Sequence, residues 1–225
     1  EIESGIKDKK AQGGMSLFGA FKRDLQLALS ITRVGVPKIE DLVGVWEPSD
    51  GELQSAYDEC LSNPEIIISY DFETDYTRIV VGDEDEYEEQ KLMVVTQFQI
   101  TISSRPYHSY IMVWSPRVES WYRKFMALHN PKLDVNGRFF DRLINRQLDT
   151  VCNGRFIDLQ SLWAHLQPDL PRNLQFIASF SSPQYGAWKH LMGEDMQEYG
   201  KHDSIRPLIA YHWILDVLKR MKHPE

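Results

Sequence analysis

A chain of 225 residues that is 42% hydrophobic and 12% aromatic is long enough for one sizeable core and too apolar for a disordered segment. Its formal net charge of −8 excludes a coat protein that holds nucleic acid by bulk charge, but not an enzyme that meets phosphates through metal ions. No apolar run approaches the ~20 residues needed to cross a bilayer, no signal peptide opens the chain, and Cys60 and Cys152 lack metal-ligand spacing; a soluble, intracellular protein without zinc or a disulfide framework is expected.

The polar, Lys-rich stretch 1–14 reads as a linker, and an opening on Glu1 without Met as the start of an excised piece of something longer. Apolar residues at helical spacing over 18–31 (Phe18, Phe21, Leu25, Leu27, Leu29) predict a helix, and 52–61 predicts a second. Neither segment carries catalytic spacing. Residues 1–64 are therefore expected to be a partly helical N-terminal extension, and 65–223 the functional domain. Within the latter, 65–74, 77–81, 92–102 and 108–114 are β-branched and aromatic runs, separated by the acidic turn 83–89 (DEDEYEE) and by 103–106 (SSRP). Such close spacing predicts an antiparallel meander. From Pro116 the period becomes helical (Val118, Trp121, Phe125, Leu128), with short strands expected at 132–135 and 155–158 and helices thereafter. The fold class that follows is α/β: a mixed sheet of about five strands, an antiparallel meander plus parallel strands, flanked by helices in the ribonuclease-H-like order.

The stretch 65–74 (EIIISYDFET) carries the chemistry. Side chains alternate along a strand, so Asp71 and Glu73 share one face while Phe72 points into the core. Two carboxylates in one small volume repel unless a counter-charge joins them, and hard oxygen donors suit Mg²⁺ or Mn²⁺. Downstream, Asn136 and Gly137 end a strand and Asp141 opens a helix, where its charge suits the helix dipole. Near the C-terminus Tyr199 and Asp203 are four apart and share a helix face. Pro207 follows four residues on, and its ring predicts a kink, or a break and restart, at the acid. His202 is expected at the surface.

Asp-x-Glu on a first strand, Asn-x-x-x-Phe-Asp, then Tyr-x-x-x-Asp, in that order, resembles the three motifs of the DEDD 3′–5′ exonuclease superfamily in its tyrosine form, as in proofreading domains of DNA polymerases. The resemblance runs over 65–222 and extends to Phe156 to Leu159, Pro168 to Pro171, and Trp188-Lys189. Val135 stands where the family often has histidine, and Gly200 falls inside the third motif. The resemblance implies two Mg²⁺ or Mn²⁺ ions: Asp71 bridging both, Glu73 and Asp203 completing the first, Asp141 holding the second through water, and Tyr199 aiming the attacking water. It further implies a single-stranded 3′ end as substrate, DNA before RNA, contacted by Phe72, Asn136, Phe140, Arg142 and Lys189, with Arg138 and Arg146 as further basic residues. A covalently attached polymerase domain is expected as a partner, and no membrane. A stand-alone RNA-trimming enzyme and a catalytically silent scaffold of the same fold are the alternatives.

Overall fold

A computed structural model describes residues 40–81, 88–138 and 140–222, with the isolated positions Gly19, Lys22, Leu25 and Gln26. The rest of the helix expected over 18–31, the linker 1–14, and residues 83–87 of the acidic turn lie outside the described residues, while Glu88 and Glu89, expected to end that turn, are in a strand. Among the described residues six strands form one sheet in the order β1-β4-β3-β2-β5-β6. They are β1 (Val43–Trp46), β2 (Ile68–Val81), β3 (Glu88–Ile102), β4 (His108–Val113), β5 (Lys132–Asp134) and β6 (Phe156–Asp158). The meander β2-β3-β4 is antiparallel, while β5 and β6 run parallel to β2, and β1 runs parallel to β4.

Two differences from the sequence expectation are informative. The runs 65–74 and 77–81 are one continuous 14-residue strand, because the polar residues between them stay paired with β3. The sixth strand, β1, was not expected; it has only four residues, one of them Gly44, too few to show a period of two. With helix α1 (Asp50–Ser62) it lies before residue 64, yet both pack on the main body. β1 extends the sheet, and α1 buries Leu53, Ala56 and Cys60 in the core.

Strand alternation sorts the side chains between two layers. Tyr70, Phe72, Phe98, Ile100 and Ile102 face a core closed by α1 and by α2 (Pro116–Ala127) through Val118, Tyr122 and Phe125. On the other face, α4 (Leu159–Leu166), α5 (Leu174–Ser181) and α6 (Met196–Lys222) build a second core around Trp163, Ile177, Leu208 and Ile214. The helices start where the side chains allow. Ser49 and Glu52 form a capping box on α1, Ser115 caps α2 with Pro116 in its first turn, and Asp158 and Asn173 cap α4 and α5.

Pro207 does not break α6, which runs unbroken from Met196 to Lys222. A proline inside a helix costs about 3 kcal/mol. Here residues 202–208 are all buried against the sheet and neighbouring helices, and that packing outweighs the lost hydrogen bond. Asp203 therefore sits within a continuous helix.

Candidate active site

The polar face of β2 looks toward α6. Asp71 and Glu73 project from it, Asp203 descends from the helix, and one oxygen of each carboxylate lies within 4.8 Å of the other two. Register then fixes their surroundings. Asp71 is paired with Gln99 and Glu73 with Gln97 on β3, and the register slips between Glu73 and Thr74, so a bulge follows the second acid. Gln99 Nε2 donates to Asp71 Oδ2 at 2.7 Å and to Glu73 Oε1 at 3.1 Å.

Electrostatics matches this crowding. Burial pushes the Asp71 carboxyl well above the usual carboxylate range, helped by the charges of Glu73, Asp141 and Asp203, with Lys189 opposing. Burial, then Asp203, pushes Glu73 up to about 7, against the Gln99 hydrogen bond and Lys189. Repulsion of this kind marks a place built for positive charge.

Asp141 opens the short helix α3 (Asp141–Gln147) and is fully buried. Neither of its oxygens has a hydrogen-bond partner of normal geometry, although the backbone amides of Phe72 and of Asp141 itself favour its charged form. Burial first, then the charge of Asp134, drives its carboxyl well above the usual range. It stands outside the 4.8 Å trio, while its charge is felt by Asp71. Asn145 anchors α3 by accepting from Tyr122 Oη at 2.5 Å and donating to Tyr70 Oη at 3.4 Å.

Tyr199 lies one helical turn before Asp203 and is almost fully buried. Burial and the neighbouring carboxylates Asp203 and Glu73 push its phenol far up, so it stays protonated. Lys189 Nζ donates to Tyr199 Oη at 2.7 Å and to Asp203 Oδ2 at 2.6 Å, and Trp188 Nε1 donates to Asp203 Oδ1 at 2.6 Å.

The other residues singled out in the sequence divide. Phe72 is not available to stack on a base: it is 1% exposed, packed against Phe98 and Tyr122. Phe140 is half-buried against the same core, and Phe139 lies outside the described residues. Asn136 takes a left-handed φ of 61° in the turn after β5. Arg142 is committed, its Nε lying 3.0 Å from Asp134 Oδ2. His202 is not at the surface; its ring stacks on Trp188 with centroids 5.5 Å apart, and only 7% of the residue is exposed.

Sequence reasoning missed four participants: Asp134, Gln97, Gln99 and the role of Trp188. Asp134 is fully buried, and burial pushes its carboxyl up to about 6 against the pull of Arg142. A Cβ on residue 137 would come within 2.1 Å of its Cγ, so Gly137 is required by that close approach.

No protein-family model and no curated sequence matches the chain. Solved structures do match its fold. RNase D of Escherichia coli, an exoribonuclease involved in structured RNA processing, aligns with a TM-score of 0.57 at 14% identity, over 80% of this chain and 46% of that one. RNase D of Trypanosoma brucei, solved as a GMP complex, aligns with a TM-score of 0.53 at 14% identity, over 76% and 56%. A nuclease in apo form aligns with a TM-score of 0.52 at 12% identity, over 82% and 86%. The chain thus has an exonuclease-type, ribonuclease-H-like fold and spans about half the length of the two RNase D proteins.

Proposed function

We propose that this chain is a metal-dependent 3′–5′ exonuclease that hydrolyses phosphodiester bonds at single-stranded ends. One observation carries the reading. Asp71, Glu73 and Asp203, far apart in sequence, bring carboxylate oxygens within 4.8 Å of one another on an exonuclease-type fold.

The donor set fits a pair of hard divalent cations, Mg²⁺ or Mn²⁺. It consists of carboxylate oxygens alone, and a fourth acid, Asp141, is held nearby with both oxygens buried and unpartnered. Asp71, Glu73 and Asp203 would hold the first ion, with Asp71 and Asp141 toward the second. Bound ions supply an acidified water and neutralise charge on the phosphate oxygens.

The chain's own residues do the rest. Tyr199, protonated and fixed by Lys189, orients the attacking water by hydrogen bonding and does not deprotonate it. Lys189 holds its ammonium beside Asp203 with 38% of its side chain exposed, where an incoming phosphate oxygen gains a charge-assisted hydrogen bond. Trp188 fixes one oxygen of Asp203, and Lys189 holds the other at 2.6 Å. Arg138 and Arg146 are exposed, and Arg146 lines a groove of about 430 Å³ with Asn145 and Phe156, a route for the strand behind its 3′ end.

DNA is the substrate suggested by the motif order, which resembles polymerase proofreading domains; a polymerase domain attached to the chain would then present the end. A second reading, stand-alone trimming of RNA, is favoured by the likeness to two RNase D structures. The test is a 5′-labelled single-stranded DNA and RNA of one sequence, incubated with Mg²⁺, Mn²⁺ or EDTA beside Asp71→Ala. A metal-dependent ladder shortening from the 3′ end and absent in the variant supports the enzyme, and the faster substrate chooses between the readings. No shortening under any condition favours a silent scaffold.

A further inference from the structure

Gly200 costs α6 about 1 kcal/mol of helix propensity relative to Ala, and the motif itself needs only Tyr199 and Asp203. The structure gives the glycine a partner. A Cβ on residue 200 would lie 2.5 Å from Gln97 Nε2 and 3.5 Å from Gln99 Cδ. The glycine therefore lets two glutamine side chains pass between β3 and α6.

These glutamines form a directed chain. Gln99 is fully buried and spends its amide group on both Asp71 and Glu73, while its carbonyl Oε1 accepts from Gln97 Nε2 at 3.1 Å. That second bond fixes the orientation of the Gln99 amide, since a flip would set its carbonyl against two carboxylates. Gln97 Nε2 also lies 3.4 Å from the carbonyl of Met196, at the start of the helix that carries Tyr199 and Asp203. The relay thus joins the strand bearing two acids to the helix bearing the third.

We infer that Gln99, braced by Gln97 across the gap left by Gly200, is a positioning residue that aligns Asp71 and Glu73 with Asp203 for cation binding. This rests on the exonuclease reading, because alignment matters only if the acids share ions. Removing a group that orients metal ligands typically costs 10- to 100-fold in affinity. Gln97 and Gln99 touch no substrate in this account.

The experiment is calorimetric titration of the full chain with Mn²⁺, with circular dichroism to verify folding. Gln99→Met keeps length and volume but loses the donor, and is expected to bind Mn²⁺ roughly 10-fold or more weakly. Gly200→Ala, which alters no ligand, is expected to weaken binding similarly by displacing Gln97. Gln97→Ala removes the brace itself and is expected to weaken binding by a like factor, and the Gln97→Ala/Gly200→Ala double variant to lose no more than either single variant, because both act through one contact, whereas independent effects would multiply. A folded Gln99→Met variant with wild-type Mn²⁺ affinity, or a double variant whose loss is the product of the two single losses, overturns the relay and leaves the nuclease reading standing. A wild-type chain that binds no Mn²⁺ overturns the nuclease reading and the relay with it.

Discussion

Trp188 and Asp203 are joined by a 2.6 Å hydrogen bond from indole Nε1 to carboxylate Oδ1, and the indole is itself clamped. The His202 ring stacks on it at 5.5 Å, and the Arg206 guanidinium lies 4.3 Å from its centroid. Arg206 is in turn tied to the carbonyls of Gly186 and Ser182. Trp188→Phe keeps an aromatic ring in this clamp and removes the donor. Turnover is expected to fall about 10-fold or more with little change in KM, since the substrate contacts remain. Single-turnover kinetics at saturating Mg²⁺ check this; an unchanged rate would show that Asp203 needs no such support.

Asp141 predicts opposite effects on stability and activity. Its buried, unpartnered carboxylate is a cost that the metal-free fold carries. Asp141→Asn removes the charge with little change in shape. Its melting temperature in EDTA is expected to rise by about 2–8 °C, from ~1–2 kcal/mol at ~2–4 °C per kcal/mol, while metal-dependent cleavage is lost. Differential scanning calorimetry beside the nuclease assay reads both, and a variant that melts lower would place Asp141 among structural acids.

Basic residues near the site are not equivalent. Arg142 neutralises the fully buried Asp134, so Arg142→Glu sets two acids together inside the protein and is expected to cost about 3–5 kcal/mol of stability. Arg146 is exposed, and Arg146→Glu should fold normally. If Arg146 meets the substrate backbone, the reversal weakens single-strand binding and lowers the slope of log affinity against log salt by about 1. Fluorescence anisotropy over a salt series measures it, and an unchanged slope takes Arg146 off the strand's path.

The central strands, α2 and the shared face of Asp71 and Glu73 were legible because each rests on local periodicity, whereas the approach of Asp203 to them followed only from the resemblance of the motif order. Alternation along β2 put Asp71 and Glu73 on one face, and helical spacing put Tyr199 above Asp203. What stayed hidden rests on pairings between distant segments. Gln97 and Gln99 carry no charge; their one trace is the polar-apolar alternation of 97–102 (QFQITI), which reads equally as a solvent-facing strand. Asp134 meets Arg142 across a turn, at no helical or strand spacing. His202 misled because its burial comes from the Trp188 loop, which helix geometry alone does not supply. Pro207 misled as to a break in the helix, because the local rule gave way to a buried helix face.

Lys132 provides a pH-dependent prediction away from the site. Its side chain is fully buried and its ammonium donates to the carbonyls of Leu128, Asn130 and Asn153. Burial lowers it from 10.5 to about 8. Between those values the unfolded chain holds the proton and the folded chain does not, so the unfolded state binds more protons and this contribution to stability rises with pH. Urea unfolding of wild type minus Lys132→Met at pH 7.5, 8.5 and 9.5 is expected to shift in favour of wild type as pH rises, by at most about 3 kcal/mol. A flat difference would mean that the three carbonyls hold the proton to ordinary values.

The central claim is that carboxylates from β2, α3 and α6 form one cage for paired cations. Anomalous diffraction from crystals grown with Mn²⁺ tests it most directly. The account predicts one peak bounded by Asp71, Glu73 and Asp203 and a second toward Asp71 and Asp141, both lost in Asp71→Ala crystals grown alike. Crystals whose ordered manganese avoids these acids, or which hold none at saturating Mn²⁺, would contradict it.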